Sequence, residues 1–262
     1  MACFSVIIPA RYNSHRFPGK PLVKIRGIPM VVTVANNALK SGAQEVVVAT
    51  DDQRIAEVVE NHHHKFVMTS KDHESGTDRV AEAANKIKLR NDAIVVNVQG
   101  DEPELDPLLI RDLANFLEIK PHLDVATTCK VIKDVQAYTN PNVVKVILKK
   151  DETVAYFSRS PIPHIRDSEN RFSQMKSEKI IGYQHMGIYA FRKNLLNQFS
   201  IMEKPKIEEI EKLEQLRLIW NGYAMGCLIS SRECGPSIDT PDDLEDLEKK
   251  YLNLRTQIKG NS

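Results

Sequence analysis

The stretch SVIIPARYNSHRFPGKPL, Ser5 to Leu22, decides how the first half of the chain is read. Val6-Ile7-Ile8 is an unbroken apolar run of the kind that becomes a strand buried on both faces. It passes directly into a loop carrying Arg11, Arg16 and Lys20 and a Pro18-Gly19 turn. Further apolar runs predict strands over 45–50, 65–69 and 93–99, and helical patterns lie between them over 29–41, 52–62, 77–89 and 106–118. Strands alternating with helices of that length form βαβ units, hence an α/β fold with a Rossmann-like, mostly parallel sheet covered by helices on both faces. Such sheets bind ligands beyond the carboxyl ends of their strands, and the basic loop falls at that edge.

The second half predicts a smaller, strand-rich lobe, with strands over 125–131, 143–149, 154–158, 183–191 and 223–230. Two helices close the chain, over 206–221 and after Thr240, and the polar stretch 164–179 reads as a mobile loop. The expected organisation is a single domain over 1–262. Within it, a first half covers about 1–125, a strand-rich second half about 126–235, and a C-terminal helix 240–258. Net charge is +1 over 262 residues, which argues against a nucleic-acid or membrane partner, so the basic loop is a local device. Four separated cysteines without a CxxC pair fit reduced thiols in a cytoplasm. No basic leader with a long apolar run opens the chain, and no stretch is long enough to span a bilayer.

Five segments carry chemistry. In the first loop, Arg11 and Lys20 suit a polyphosphate, with Pro18-Gly19 shaping the turn; a solvated basic loop is the plain alternative. In TSKDHESGTDR, Thr69–Arg79, the Ser75-Gly76-Thr77 approach and Arg79 could hold a base or ribose, or could simply cap a helix. In IVVNVQGDEPELD, Ile94–Asp106, Asp101 follows an apolar strand and can ligate Mg²⁺ at the strand ends. In GPSIDTPDDLEDL, Gly235–Leu247, Thr240, Pro241 and Asp243 fill the N-cap, first-turn and capping-box roles, which leaves Asp239 free to pair with Asp101 around one or two hard cations; a surface acid near the helix dipole is the plain alternative. In YQHMGIYAF, Tyr183–Phe191, alternation puts Gln184, Met186, Ile188 and Ala190 on a core face and Tyr183, His185, Gly187 and Tyr189 on the other. Glu214 and Gln215 flank the apolar face Ile207, Ile210, Leu213, Leu216 and Trp220 of a predicted helix, within reach of sugar hydroxyls if that helix borders a cleft.

Taken in order, nine segments resemble the 3-deoxy-manno-octulosonate cytidylyltransferase family: IIPARYNSHRFPGKPL, VVVATDD, MTSKDHESGTDRVAE, VVNVQGDEP, NPNVVKV, YFSRSPIP, HMGIYAFR, LEQLR and DTPDDLE. The resemblance covers nearly the whole chain and implies a fold of the nucleotide-diphospho-sugar transferase type. It implies a Mg²⁺-dependent enzyme that transfers CMP from CTP to 3-deoxy-D-manno-octulosonate (KDO) and releases pyrophosphate. Such an enzyme works as a cytoplasmic homodimer in lipopolysaccharide synthesis. The implied step is in-line attack of the anomeric hydroxyl on the α-phosphate, with no covalent enzyme intermediate.

By the same resemblance Arg11 and Lys20 hold the CTP phosphates, Ser75, Gly76, Thr77 and Arg79 the nucleotide, and Asp101 and Asp239 the metal. KDO contacts fall to Gln99, Arg159, His185, Tyr189, Glu214 and Gln215. Two departures stand out: Phe17 where leucine is usual before Pro-Gly, and Glu74 where glutamine is common before Ser-Gly-Thr. A cytidylyltransferase for another acidic sugar, 8-amino-KDO or an acylneuraminate, is the nearest rival. A metal-dependent glycosyltransferase or a silent nucleotide-binding module stands further off.

Overall fold

A computed structural model describes residues 2–13, 16–166, 181–232 and 234–260, with side chains as far as Asn253. In chain order the first elements are β1 (Phe4–Ala10), α1 (Met30–Leu39), β2 (Glu45–Thr50), α2 (Gln53–Asn61), β3 (Lys65–Met68), α3 (Gly76–Lys86), β4 (Ile94–Asn97) and α4 (Pro107–Glu118). They continue with β5 (Val125–Ile132), α5 (Val135–Thr139), β6 (Lys145–Leu148), β7 (Val154–Ser158), β8 (Gly182–Arg192), α6 (Lys193–Phe199), α7 (Lys206–Glu211), α8 (Leu216–Trp220), β9 (Met225–Ile229) and α9 (Pro241–Gly260). The alternation expected for the first half is what forms, in a mixed α/β fold. From Asp167 onward, the polar stretch expected as a mobile loop lies outside the described residues.

Contacts divide the chain into two compact units. One comprises Ser5–Lys88, Asn97–Leu108 and Glu233–Ser262. Here β1, β2 and β3 pair in parallel, Ser5 opposite Glu45 through Ala10 opposite Thr50, and Val47 opposite Lys65 through Thr50 opposite Met68. Parallel register brings the carboxyl ends of the three strands to one edge, so the loops that follow them open there together. Every residue of β1 is buried, as its apolar run requires. The following helices start on side-chain caps: Asp52 accepts from the Arg54 N–H at α2, and Ser75 from the Asp78 N–H at α3. Ile25, Met30, Ile238 and Leu247 form a buried cluster against which Phe17 packs. Apolar contact with that cluster accounts for an aromatic side chain before Pro18-Gly19.

The other unit comprises Met1–Phe4, Leu89–Val96 and Leu109–Arg232. Its strands are mostly antiparallel: β8 pairs with β5 and β6, β6 with β7, while β9 joins β5 in parallel. Two expectations are corrected here. The single helix over 206–221 is two short helices, because Lys212 sits at φ 52°, in the left-handed region, and breaks the run. Ile210 and Trp220 are therefore exposed rather than packed, whereas Leu213 and Leu216 are buried. The alternation expected along 183–191 is also interrupted. A bulge between Met186 and Tyr189 shifts the register, so Gln184 and Met186 are only half-buried while His185 is buried.

Arg217 is the largest fully buried side chain of this unit, at 2% exposure. Its Nε and Nη2 donate to the Glu208 carboxylate at 2.9 and 2.5 Å, its Nη1 reaches the Phe199 carbonyl at 3.3 Å, and its guanidinium lies 4.3 Å from the Phe199 ring centroid. Arg217→Met strips the nearly buried Glu208 carboxylate of this partner, and loss of one member of a buried pair costs about 3–5 kcal/mol. A fall of that size in the unfolding free energy, followed by denaturant titration, is the expected outcome; a change under about 1 kcal/mol would refute it. Among the described residues no helix is long and apolar enough to cross a membrane.

Candidate active site

At the carboxyl edge of β1 lies a cavity of about 390 Å³, lined in part by Arg11, Asn13, Arg16, Lys20, Gly76, Arg79, Gln99, Gly100, Asp101 and Asp239. Its first wall is the basic loop. Gly19 takes φ 73° and donates its N–H to the Tyr12 carbonyl at 3.0 Å. A Cβ there would sit 3.2 Å from the Tyr12 hydroxyl, so both backbone and space call for glycine. The Tyr12 ring lies 3.4 Å under the Arg54 guanidinium, which forks onto Asp52 at 2.9 and 2.7 Å. With Phe17 fixed in the apolar cluster, the turn is clamped while Arg11 and Arg16 stay exposed.

The floor comes from the segment after β4. A Cβ on Gly100 would lie 3.0 Å from the Pro9 carbonyl oxygen, so the two backbones meet closely there. Asp101 follows at once. Asp239 arrives just before α9, and the cap expected there is present: the Thr240 hydroxyl accepts from the Asp243 N–H, while the Asp243 carboxylate accepts from the N–H groups of Asp239 and Thr240. Lys20 Nζ lies 2.5 Å from Asp101 Oδ2 and 3.2 Å from Asp239 Oδ1, and Arg16 Nη2 is 3.0 Å from the same Asp239 oxygen. Next to them the Glu102 carboxyl is pushed up to about 8, chiefly by desolvation and further by the Asp101 and Asp239 charges. At neutral pH it therefore stays mostly protonated and adds little to the negative charge.

The third wall is the start of α3. Ser75 is the cap, its hydroxyl also donating to Asp78 at 2.9 Å, and Gly76 is the residue of that triplet that lines the cavity. Thr77 is buried. Arg79 lines the cavity too, although it is 2% exposed and pairs with Asp51 at 2.9 Å while also donating to Thr69. Seven expected residues thus meet in one place: Arg11, Lys20, Gly76, Arg79, Gln99, Asp101 and Asp239.

Five others belong to the second unit. Arg159 and Glu214 are half-buried, and His185, Tyr189 and Gln215 are buried. The His185 ring sits edge-on to Phe157 at 4.8 Å and beside Tyr189 at 5.4 Å. Thr127 donates its only hydroxyl proton to the Ile188 carbonyl at 2.8 Å, so its contact with His185 Nε2 at 2.9 Å requires the imidazole to be the donor. His185 is accordingly the Nε2–H tautomer, with Nδ1 as an acceptor.

Residues 5–230 match the family model described as cytidylyltransferase. Over 244 residues the chain is 44% identical to 3-deoxy-manno-octulosonate cytidylyltransferase of Coxiella burnetii (strain Dugway 5J108-111), covering 92% of this chain and 97% of that one. The chain belongs to the 3-deoxy-manno-octulosonate cytidylyltransferase family. A second family member, from Psychromonas ingrahamii, is 45% identical over 247 residues, 92% of this chain and 96% of that one. Among solved structures, CMP:2-keto-3-deoxy-manno-octonic acid synthetase complexed with CTP superposes at TM-score 0.86 with 39% identity, covering 96% of this chain and 99% of that chain. A cytidylyltransferase from Leptospira borgpetersenii shares the fold at TM-score 0.62 and 17% identity. The family membership that nine motifs implied is therefore shown, and the chain is a nucleotidyltransferase.

Sequence reasoning missed the Tyr12–Arg54 clamp and the protonated Glu102. The ring next to Arg11 and the Asp52-x-Arg54 spacing signalled the first; the second needed the convergence of three acids. Burial also lowers the His185 imidazole to about 3. Between that value and the ordinary 6.5, the unfolded chain binds a proton that the folded chain refuses, so stability is full above pH 6.5 and falls on acidification. From pH 7 to pH 5 this group should remove about 2 kcal/mol. His185→Gln should lose that share of the slope in urea titrations at the two pH values; equal slopes would refute it.

Proposed function

We propose that this family member transfers CMP from CTP to KDO, giving CMP-KDO and pyrophosphate. The observation that carries the reading is one cavity whose lining brings the cationic Arg11 and Lys20 together with the carboxylates Asp101 and Asp239, Lys20 pairing with both acids. A triphosphate brings about four negative charges, and burying them uncompensated would be prohibitive. Arg11 offers a fork to phosphate oxygens, Lys20 a point charge, and the clamped turn keeps both in place before substrate arrives. Gly76 leaves room beside the start of α3 for the nucleotide, with Ser75, Thr77 and Arg79 shaping that wall. The similar synthetase solved in complex with CTP supports the choice of nucleotide.

Asp101 and Asp239 fit Mg²⁺: both offer oxygen donors, and one oxygen of each already lies within hydrogen-bonding reach of one cation, the Lys20 ammonium. When bound, Mg²⁺ supplies charge neutralisation at the α-phosphate and acidifies a neighbouring hydroxyl. Gln99, Arg159, His185, Tyr189, Glu214 and Gln215 are proposed to hold the sugar acid. Arg159 suits its carboxylate, and neutral His185 can accept a hydrogen bond from a sugar hydroxyl at Nδ1. Positioning and electrostatics then suffice for attack of the anomeric hydroxyl, and no side chain need become a nucleophile. The proposal includes Mg²⁺ dependence, a cytoplasmic location and a homodimer.

The test incubates the protein with CTP, Mg²⁺ and KDO and follows pyrophosphate. Release that depends on both KDO and Mg²⁺ is expected. Release with 8-amino-KDO or an acylneuraminate, but not with KDO, would transfer the assignment to that sugar.

A further inference from the structure

Arg159 is held through both its backbone and its side chain, and the groups that meet its guanidinium are carbonyls, which leave its charge intact. Its N–H donates to Glu211 Oε2 at 2.9 Å, its Nε to the Glu211 backbone carbonyl at 2.7 Å, and its Nη1 to the Pro141 carbonyl at 3.1 Å. Its own carbonyl accepts from Lys145 Nζ at 2.6 Å. Lys145 is fully buried, and its ammonium also donates to the carbonyls of Asn140 and Val143 at 2.9 and 2.5 Å. Burying an ammonium among carbonyls is costly, and a well-packed apolar side chain would fill the space more cheaply. What an apolar side chain cannot do is tie the 140–143 turn to the Arg159 backbone. Glu211 is likewise spent on Arg159 and its neighbour, accepting from the Ser158 hydroxyl at 2.6 Å.

Two of the three guanidinium nitrogens are thus tied to carbonyls, which leave the positive charge intact, and among the described residues Arg159 makes no ion pair. Nη2 has no partner among those residues. We infer that Glu211 and Lys145 are positioning residues that fix Arg159 with Nη2 reserved for the carboxylate of an acidic sugar. The inference rests on the KDO reading above and names the two residues that prepare its anion-binding arginine. A guanidinium preset in this way loses little conformational freedom on binding, so its advantage appears as tighter sugar binding rather than faster chemistry.

A double-mutant cycle tests it on the full-length protein with CTP, Mg²⁺ and KDO. Glu211→Gln keeps the shape but sets an amide against donors, and should raise KM for KDO about tenfold while KM for CTP stays within about twofold. Arg159→Ala should raise KM for KDO further, and adding Glu211→Gln to it should change nothing more. Lys145→Met should follow the same pattern; if it does not fold, the Glu211→Gln cycle carries the result. Effects that multiply in the double variant, or an equal rise in KM for CTP, would overturn the inference.

If wild-type protein turned over no KDO, the KDO reading itself would fail, and positioning would be read from solvent exchange of the Arg159 backbone N–H, which the Glu211 carboxylate accepts at 2.9 Å. Slow solvent exchange in wild type that becomes fast in Glu211→Gln supports the positioning; identical exchange in both overturns it.

Discussion

Asp101→Asn is expected to give a folded protein that releases pyrophosphate about a thousandfold more slowly. The substitution keeps the side-chain shape, and Lys20 retains Asp239 at 3.2 Å, so the loop stays anchored. Stability should change by less than about 1 kcal/mol, because Lys20 still has Asp239 as a partner in this partly solvated pair. What disappears is half of the carboxylate pair proposed for Mg²⁺, and with it the charge compensation at the reacting phosphorus. The Mg²⁺ concentration needed for half-maximal rate should rise as well. A variant with near-normal turnover would remove Asp101 from the metal site, and an unfolded one would show that the residue serves the fold.

Lys20→Met produces the second large effect, of a different kind. Its ammonium is 13% exposed and serves both acids at once. Removing it leaves Asp101 without this partner and Asp239 with Arg16 at 3.0 Å. Leaving a partly buried charge unpaired costs about 1–3 kcal/mol, and loss of a phosphate-binding cation should raise KM for CTP about a hundredfold. The two consequences separate on addition of Mg²⁺. A divalent ion can settle between the two carboxylates once Lys20 no longer bridges them, so the variant's melting temperature should rise more with Mg²⁺ than that of wild type. Equal shifts in both proteins would mean that the two acids do not share a cation site.

Much of this was legible before any coordinates. The Val6-Ile7-Ile8 run, the alternation that follows it and the already-filled cap at Thr240 were enough to place Asp101 and Asp239 at strand and helix ends. These signals are local, set by hydrophobic period and by the few residues able to satisfy a helix terminus. The failures have a common cause as well. Helical spacing through Ile207 and Trp220 could not reveal the left-handed turn at Lys212, because a lysine there is a tertiary outcome and not a propensity. Alternation along Tyr183–Phe191 could not reveal a bulge that Thr127 stabilises from a neighbouring strand by gathering His185 and the Ile188 carbonyl. The protonation of Glu102 depends first on burial, which only the folded chain creates, and then on the charges of Asp101 and the distant Asp239.

The pairing of Lys20 with Asp239, 219 positions apart, together with the packing of Phe17 and Met30 on Ile238 and Leu247, has a consequence for biosynthesis. A ribosome must deliver the chain through Leu247 before this pocket can close, so no translation product that stops short of α9 should sequester nucleotide. Competence is acquired in one late event, when the start of α9 docks back onto the first loop.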